Sequence, residues 1–239
     1  MHGWRGKIGH VKPSILDNYS EWAAILPDGV VMVINILGVQ DHTAQEFDAA
    51  LERIESTALT LSREKAGVII VGGSPVLEYQ EEKGDKILID RLEKSTGVPC
   101  STTRQVAIDA MRALGIKRVA VATPWKDNLN ENTKRSLEHV GFEVLRIEGL
   151  QIGPTVEISE LPSYAGYRLA RDTFIKAPEA EGIYIPCARW QVVNSIQKLE
   201  SDLGVPVVTS VQAMIWFGLK VLNIRTPIHG FGRLLEEKL

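Results

Sequence analysis

The chain carries two cysteines in different settings. Cys187 follows the apolar run Gly182–Ile185 and precedes Ala188, Arg189 and Trp190, where a helix is expected to begin. A thiol at such a junction would meet backbone N–H groups and the positive end of a helix dipole, which lower its pKa and suit it to proton transfer or nucleophilic attack. Cys100, within VPCSTT, has Val207 as its counterpart in a second, similar stretch, so it reads as packing. Near Cys187 in the expected fold, Gly73, Ser74, Thr123 and the main chain after the cysteine would bring hydrogen-bond donors to one spot. Such a cluster suits a carboxylate, and suits better the dianionic enediolate formed when a carbanion develops beside one. The same Ser and Thr are also ordinary helix N-caps. Lys12 and Arg189 are the nearby cations for a second acidic group if a cleft encloses them; otherwise they are solvated surface charges. The five histidines fall at 2, 10, 42, 139 and 229, with no HxH or HExxH spacing, so no metal site is expected. His42 precedes an expected helix and is placed to enter a cleft, whereas His10 lies within a strand and reads as core. No GxSxG, P-loop lysine or GxGxxG follows a strand, so neither a serine triad nor a nucleotide cofactor is expected. The expected cofactor set is none.

These residues need elements to hold them. Short runs rich in Val and Ile predict strands at Lys7–Val11, Val30–Leu37, Val68–Val71, Arg118–Ala122, Glu143–Ile147, Gly182–Ile185 and Pro206–Val208. Helical periodicity appears from Thr43 through Leu61, and over Lys83–Ser95, Thr103–Leu114, Leu129–Val140, Ser163–Ile175, Trp190–Leu203 and Val211–Leu222. Alternation of this kind means an α/β fold with parallel sheets. GVPCSTTRQ from Gly97 and GVPVVTSVQ from Gly204 share Gly, Val, Pro, Thr and Gln in register. KIGHVKP pairs likewise with RVAVATP, and GVIIVGG with GIYIPCA, which points to two related halves. The expected division is 1–115 plus 211–239 for the first half and 116–210 for the second. Ligands of open α/β sheets sit beyond the strands' carboxyl ends. Those ends here are Lys12-Pro13-Ser14, Gly72-Gly73-Ser74, Thr123-Pro124-Trp125 and Pro186-Cys187-Ala188.

With 239 residues, 44% hydrophobic and 24% charged, the chain can bury a sizeable core, and disorder is excluded. A net charge of −3 gives no footprint for nucleic acid. Two cysteines exclude a disulfide scaffold, and no apolar run is long enough to span a bilayer. A soluble, cytoplasmic protein with no nucleic-acid or membrane partner is therefore expected, its oligomeric state left open.

The segment GVPCSTTRQVAIDAMRALGIKRVAVATPW, then Asn130 and Glu131, Gly141-Phe142, GIYIPC, GVPVVTS and HGFGRLL resemble the arylmalonate decarboxylase and maleate cis–trans isomerase family of the aspartate/glutamate racemase superfamily. The resemblance implies two pseudo-symmetric Rossmann-like halves, a cofactor-free site in the cleft between them, and carbanion chemistry beside a carboxylate. Racemases and isomerases of that superfamily use one cysteine from each half. Here the first position falls in Val71-Gly72-Gly73-Ser74, which has glycine, and the second is Cys187. The decarboxylases are similar in keeping only the second cysteine. This chain departs from them at Gly73, where they have Thr, at Trp125 for Tyr, and at Ala188 for Gly. Arg189 and Trp190 adjoin that last change, and His42 and Phe47 stand where the decarboxylases place apolar pocket residues.

The resemblance thus implies a cofactor-independent decarboxylase of a malonate-like diacid, with Cys187 protonating the enediolate. Pro13, Ser14, Gly72, Gly73, Ser74, Thr123, Trp125, Ala188, Arg189 and His42 would contact a small carboxylate or dicarboxylate. Two other readings stay open at this point. One is a maleate-type isomerase or a racemase pairing Cys187 with a non-thiol partner such as His42 or a water. The other is a carboxylate-binding protein without catalysis.

Overall fold

The structure is a computed structural model that describes residues 3–15, 18–41, 43–73, 76 and 84–239. Among these residues, eight strands form two parallel four-stranded sheets. The first contains β1 (Gly6–Lys12), β2 (Val30–Ile36), β3 (Val68–Val71) and β4 (Cys100–Thr102), in the order β2-β1-β3-β4. The second contains β5 (Arg118–Thr123), β6 (Glu143–Gly149), β7 (Gly182–Ile185) and β8 (Val207–Thr209), in the order β6-β5-β7-β8. The two orders are the same, as the internal sequence pairs predict. Among the described residues the helices referred to below are α1 (Tyr19–Ile25), α2 (Ala44–Arg63), α3 (Gly84–Thr96), α4 (Thr103–Ala113), α5 (Asp127–His139), α6 (Thr155–Ser159), α7 (Ser163–Ile175), α8 (Ile196–Leu203), α9 (Ser210–Val221) and α10 (Arg233–Glu237).

The apolar strands are apolar because both of their faces are covered. In β3, Val68 and Ile70 point into a central cluster while Ile69 and Val71 point into an outer one, all four 0% exposed. The outer cluster of the first sheet takes Phe47, Ala50, Ile54, Ala58 and Leu61 from α2, the stripe expected from its periodicity. Thr43 caps that helix, its hydroxyl accepting from the Glu46 amide. The second sheet has its own outer cluster, with Ile183, Ile185 and Val207 facing Ala170, Ile196 and Leu199.

The central cluster belongs to both sheets. It joins Ile8, Val68 and Ile70 to Val119, Val121, Tyr184 and Val208 through α4 (Val106, Ala107, Ala110, Met111) and α9 (Ala213, Met214, Ile215). Trp216 lies in it, with its indole N–H donating to Lys238 O at 3.0 Å. The two linking helices start alike. Thr102 and Thr209 each accept from the amide three residues on, that of Gln105 or Gln212. The repeated Thr and Gln are therefore duplicated capping devices rather than duplicated chemistry.

Several boundaries differ from expectation. Three short helices, α1, α6 and α10, lack enough turns to display a period and went unpredicted. Cys100–Thr102 is a strand, only three residues long. No helix begins at Trp190: a 3₁₀ turn spans Val193–Ser195 and α8 starts at Ile196. Gln191 and Val192 instead continue an irregular loop, and the amides of Val192 and Val193 donate to Glu21 of α1.

Candidate functional site

One cavity opens where the carboxyl ends of the two sheets meet. Its lining includes Pro13, Ser14, Gly72, Gly73, Trp125, Cys187, Ala188 and Arg189 from among the residues singled out in the sequence. Thr123 does not line it. That hydroxyl donates to Asn130 Oδ1 at 2.6 Å and accepts from the Trp125 amide at 3.1 Å, so it shapes the turn and has no proton left for a ligand. Ser74 and His42 lie outside the described residues.

Cys187 follows β7 on a tight turn, with φ at +84°, a conformation that costs a non-glycine residue about 1–3 kcal/mol. The turn is closed by the Trp190 amide donating to Cys187 O at 3.1 Å. Without a helix dipole, the thiol does not become acidic as the sequence suggested. Desolvation pushes its pKa above the ordinary 9.0, against the opposing pull of the Arg189 amide, Lys12, the Trp190 amide and the Arg189 guanidinium. At neutral pH it is S–H, a proton donor. Cys100 is buried in the first outer cluster, donates to Val98 O at 3.2 Å and is pushed up to about 11, in keeping with a packing role.

The cleft encloses both cations. Lys12 is 2% exposed, with Nζ donating to Ile15 O at 3.0 Å and to Ser14 Oγ at 3.4 Å. Arg189 is 9% exposed and donates through Nη1 to Thr155 Oγ1 at 2.8 Å and through Nε to Ser159 Oγ at 3.2 Å. Of the two readings left open for these residues, enclosed cations or solvated charges, the structure has the enclosed one, and the reason is tertiary. The short helix α6 reaches over the loop and fixes the guanidinium from above. Thr155 is in turn tied to the first half, donating to Gln40 O at 2.8 Å. Val39, Val76 and Ile158 supply an apolar wall to the same cavity.

A clasp from α1 holds the cysteine loop across the two halves. Asn18 Nδ2 donates to Ala188 O at 2.8 Å, and the buried Glu21 carboxylate accepts from the amides of Val192 and Val193, each at 3.0 Å. Burial raises the Glu21 pKa, and those two amides oppose the rise. Replacing Glu21 with Ala strands two buried N–H groups, so we expect a loss of about 2 kcal/mol in stability. Urea denaturation checks this; an unchanged midpoint would show that water replaces the carboxylate at no cost.

Sequence reasoning missed His10, Thr103, Ser210, Val39, Val76, Thr155 and Ile158 in the lining. Two of these had a signal in the repeat. Thr103 and Ser210 hold equivalent positions after the paired strands and open the two linking helices. Gly73, by contrast, has φ at +97°, and a Cβ there would lie 3.1 Å from Pro13 Cγ. A side chain there would be strained and would press on Pro13, so glycine suits the backbone this loop adopts.

Comparison with known proteins places this arrangement. The family model described as arylmalonate decarboxylase matches residues 11–235. The arylmalonate decarboxylase of Bordetella bronchiseptica is 29% identical over 224 residues, which cover 91% of each chain. A maleate isomerase of Geobacillus stearothermophilus is 23% identical over 201 residues, covering 82% of this chain and 80% of that one. A liganded mutant of arylmalonate decarboxylase superimposes with a TM-score of 0.90 at 25% identity, over 97% of this chain and 99% of that one. The maleate isomerase of Pseudomonas putida S16 shares the fold, with a TM-score of 0.89 at 22% identity over 98% and 99% of the two chains. With a family match over nearly its whole length and a cavity where the paired sheets meet, this chain belongs to the arylmalonate decarboxylase family.

Proposed function

We propose that this protein is a cofactor-independent decarboxylase of malonate-like diacids, in which Cys187 is the proton donor. The observation that carries the reading is a thiol on the cavity wall that desolvation keeps from ionising, with Gly72 and Gly73 as the described lining residues at the matching strand end of the other half. One carboxylate of the diacid lies near Lys12 and Arg189, with Ser14 and the main chain around Ala188 as hydrogen-bonding groups. Ser74, from the resemblance, completes that set in this proposal; Thr123 is withdrawn from it. The other carboxylate faces Val39, Val76 and Ile158, where lost hydration favours its departure as carbon dioxide. The electron pair of the broken C–C bond enters the enediolate, which the cations stabilise. Cys187 then gives its proton to the α-carbon, and the thiolate regains one from water.

A racemase or isomerase needs a second proton-transfer group of suitable strength. Among the described residues, His10 is the imidazole lining this cavity, and burial lowers its pKa to about 4, too weak a base to remove a proton beside a carboxylate. That contrast favours the decarboxylase over the isomerase named among the relatives. Proton NMR in deuterium oxide with disubstituted malonates tests the choice. We expect loss of one carbon with a single deuterium delivered at Cα; malonates returned intact, together with isomerisation of maleate or α-proton exchange in an α-amino acid offered in parallel, would reject the decarboxylase reading.

A further inference from the structure

Residues 187–190 form a four-residue turn, closed by the Trp190 amide donating to Cys187 O. Its central peptide unit joins Ala188 to Arg189. Such a unit can flip as a body, since the two commonest turn types differ mainly by its rotation. Which way it faces matters for the cysteine. The N–H and C=O of a trans peptide point in opposite directions, so fixing one aims the other. Here the Arg189 N–H hydrogen-bonds the Cys187 sulfur, joined there by the Trp190 N–H. The opposite end, Ala188 O, accepts from Asn18 Nδ2 at 2.8 Å. Asn18 stands in the other half at the N-cap of α1, where an asparagine ordinarily turns its oxygen onto the helix amides. This one makes no such cap. It is 1% exposed, and its Oδ1 has no hydrogen-bond partner among the described residues. The buried side chain thus forgoes its local role and spends its amide on one carbonyl 170 residues away.

We propose that Asn18 is a positioning residue for Cys187: by holding Ala188 O it keeps the Arg189 N–H aimed at the sulfur, where that N–H stabilises the thiolate left when the proton is delivered. This role rests on the decarboxylase reading and adds to it the means by which a desolvated thiol is acidic enough to act. When the S–H bond breaks, the proton goes to the α-carbon and the bonding pair stays on sulfur. The two amides then face a full negative charge, and hydrogen bonds to a charged group are the strong ones. A flipped peptide would set Ala188 O against that charge instead. The other groups around the sulfur are untouched by a change at 18. Lys12 at the end of β1 and the Arg189 guanidinium act on it as charges. His10 in the same lining is neutral at pH 7, and the Glu21 carboxylate of α1 is engaged with the Val192 and Val193 amides.

The test reads the thiol itself. Iodoacetamide alkylation of the full chain is followed across the alkaline range at the Cys187 peptide by mass spectrometry, which separates it from Cys100. In Asn18→Leu, which keeps the volume and removes the donor, the midpoint of alkylation is expected to rise by about one pH unit. On malonates, kcat should fall about threefold to tenfold with KM little changed, and the alkaline limb of the pH profile should move up with the midpoint. Glu21→Ala loosens the same loop at Val192 and Val193; it is expected to lower stability while leaving the midpoint in place. A midpoint unmoved in Asn18→Leu, or moved equally by Glu21→Ala, would overturn the proposal. If no malonate is decarboxylated, the decarboxylase reading fails by itself, and the alkylation midpoints still decide what Asn18 does. Asn18→Ala serves for the same measurement where leucine disturbs the packing beside the cysteine loop.

Discussion

Cys187→Ala is expected to lower kcat for malonate decarboxylation by about 10²–10⁴-fold, the range a positioned general acid contributes, with KM little changed. The sulfur is proposed to act on the carbanion after the bond to carbon dioxide has broken, while Lys12 and Arg189 hold the ground-state carboxylate. Removing the thiol therefore weakens the reaction step and leaves binding in place. Cys187→Ser is expected to be almost as slow, because an aliphatic hydroxyl is a far poorer acid than a thiol at equal geometry. The pH profile distinguishes this role from a nucleophilic one. The active form is the protonated thiol, and desolvation moves its pKa above 9.0. Activity should thus hold through neutral pH and fall only on the alkaline side of that value, whereas a thiolate nucleophile would give activity that rises there. Steady-state kinetics from pH 6 to 10.5 measures both. Unchanged turnover in Cys187→Ala would end the assignment.

The second large effect is on stability, where the first half meets the second. Arg104 Nε and Thr102 Oγ1 both donate to Asp85 Oδ2, at 2.8 and 2.9 Å, and Arg104 Nη1 donates to Ser136 Oγ at 2.6 Å. The Asp85 and Arg104 side chains are only 7% and 9% exposed. This network ties α3, the end of β4, α4 and α5 together beside Thr103, which lines the cavity. Asp85→Ala leaves a buried guanidinium without its counter-charge, which costs about 3–5 kcal/mol. The double variant Asp85→Ala with Arg104→Met removes both charges and should recover most of that loss. Denaturant midpoints of the two single variants and the double variant close the cycle. A single variant within about 0.5 kcal/mol of the parent would show that the pair contributes nothing net.

Much of the architecture was legible in the residues because it depends on local patterns. Val68–Val71 is apolar at every position because helices cover both of its faces, and the α2 stripe from Phe47 to Leu61 repeats because that helix covers one of them. The paired Gly-Val-Pro segments announced two halves, and the sheets repeat one strand order. Cys187, Gly72 and Gly73 were visible as strand-end residues for the same reason, since chain order alone fixes which residues leave a parallel sheet at its carboxyl end.

What the sequence by itself determined is therefore the fold class, the duplication and the strand ends that border the cleft, all encoded in periodicity and internal similarity within short windows. Only the tertiary structure decided the electrostatics. It placed α6 over Arg189, buried Lys12, and set the clasp from Asn18 and Glu21 on the cysteine loop. It also withdrew the helix dipole from Cys187, kept the thiol protonated, spent the Thr123 hydroxyl on Asn130, and turned His10 from a core residue into part of the cavity wall. The physical reason is that desolvation and hydrogen-bond partnership depend on which distant atoms exclude water from a group, and residues far apart along the chain supply those atoms.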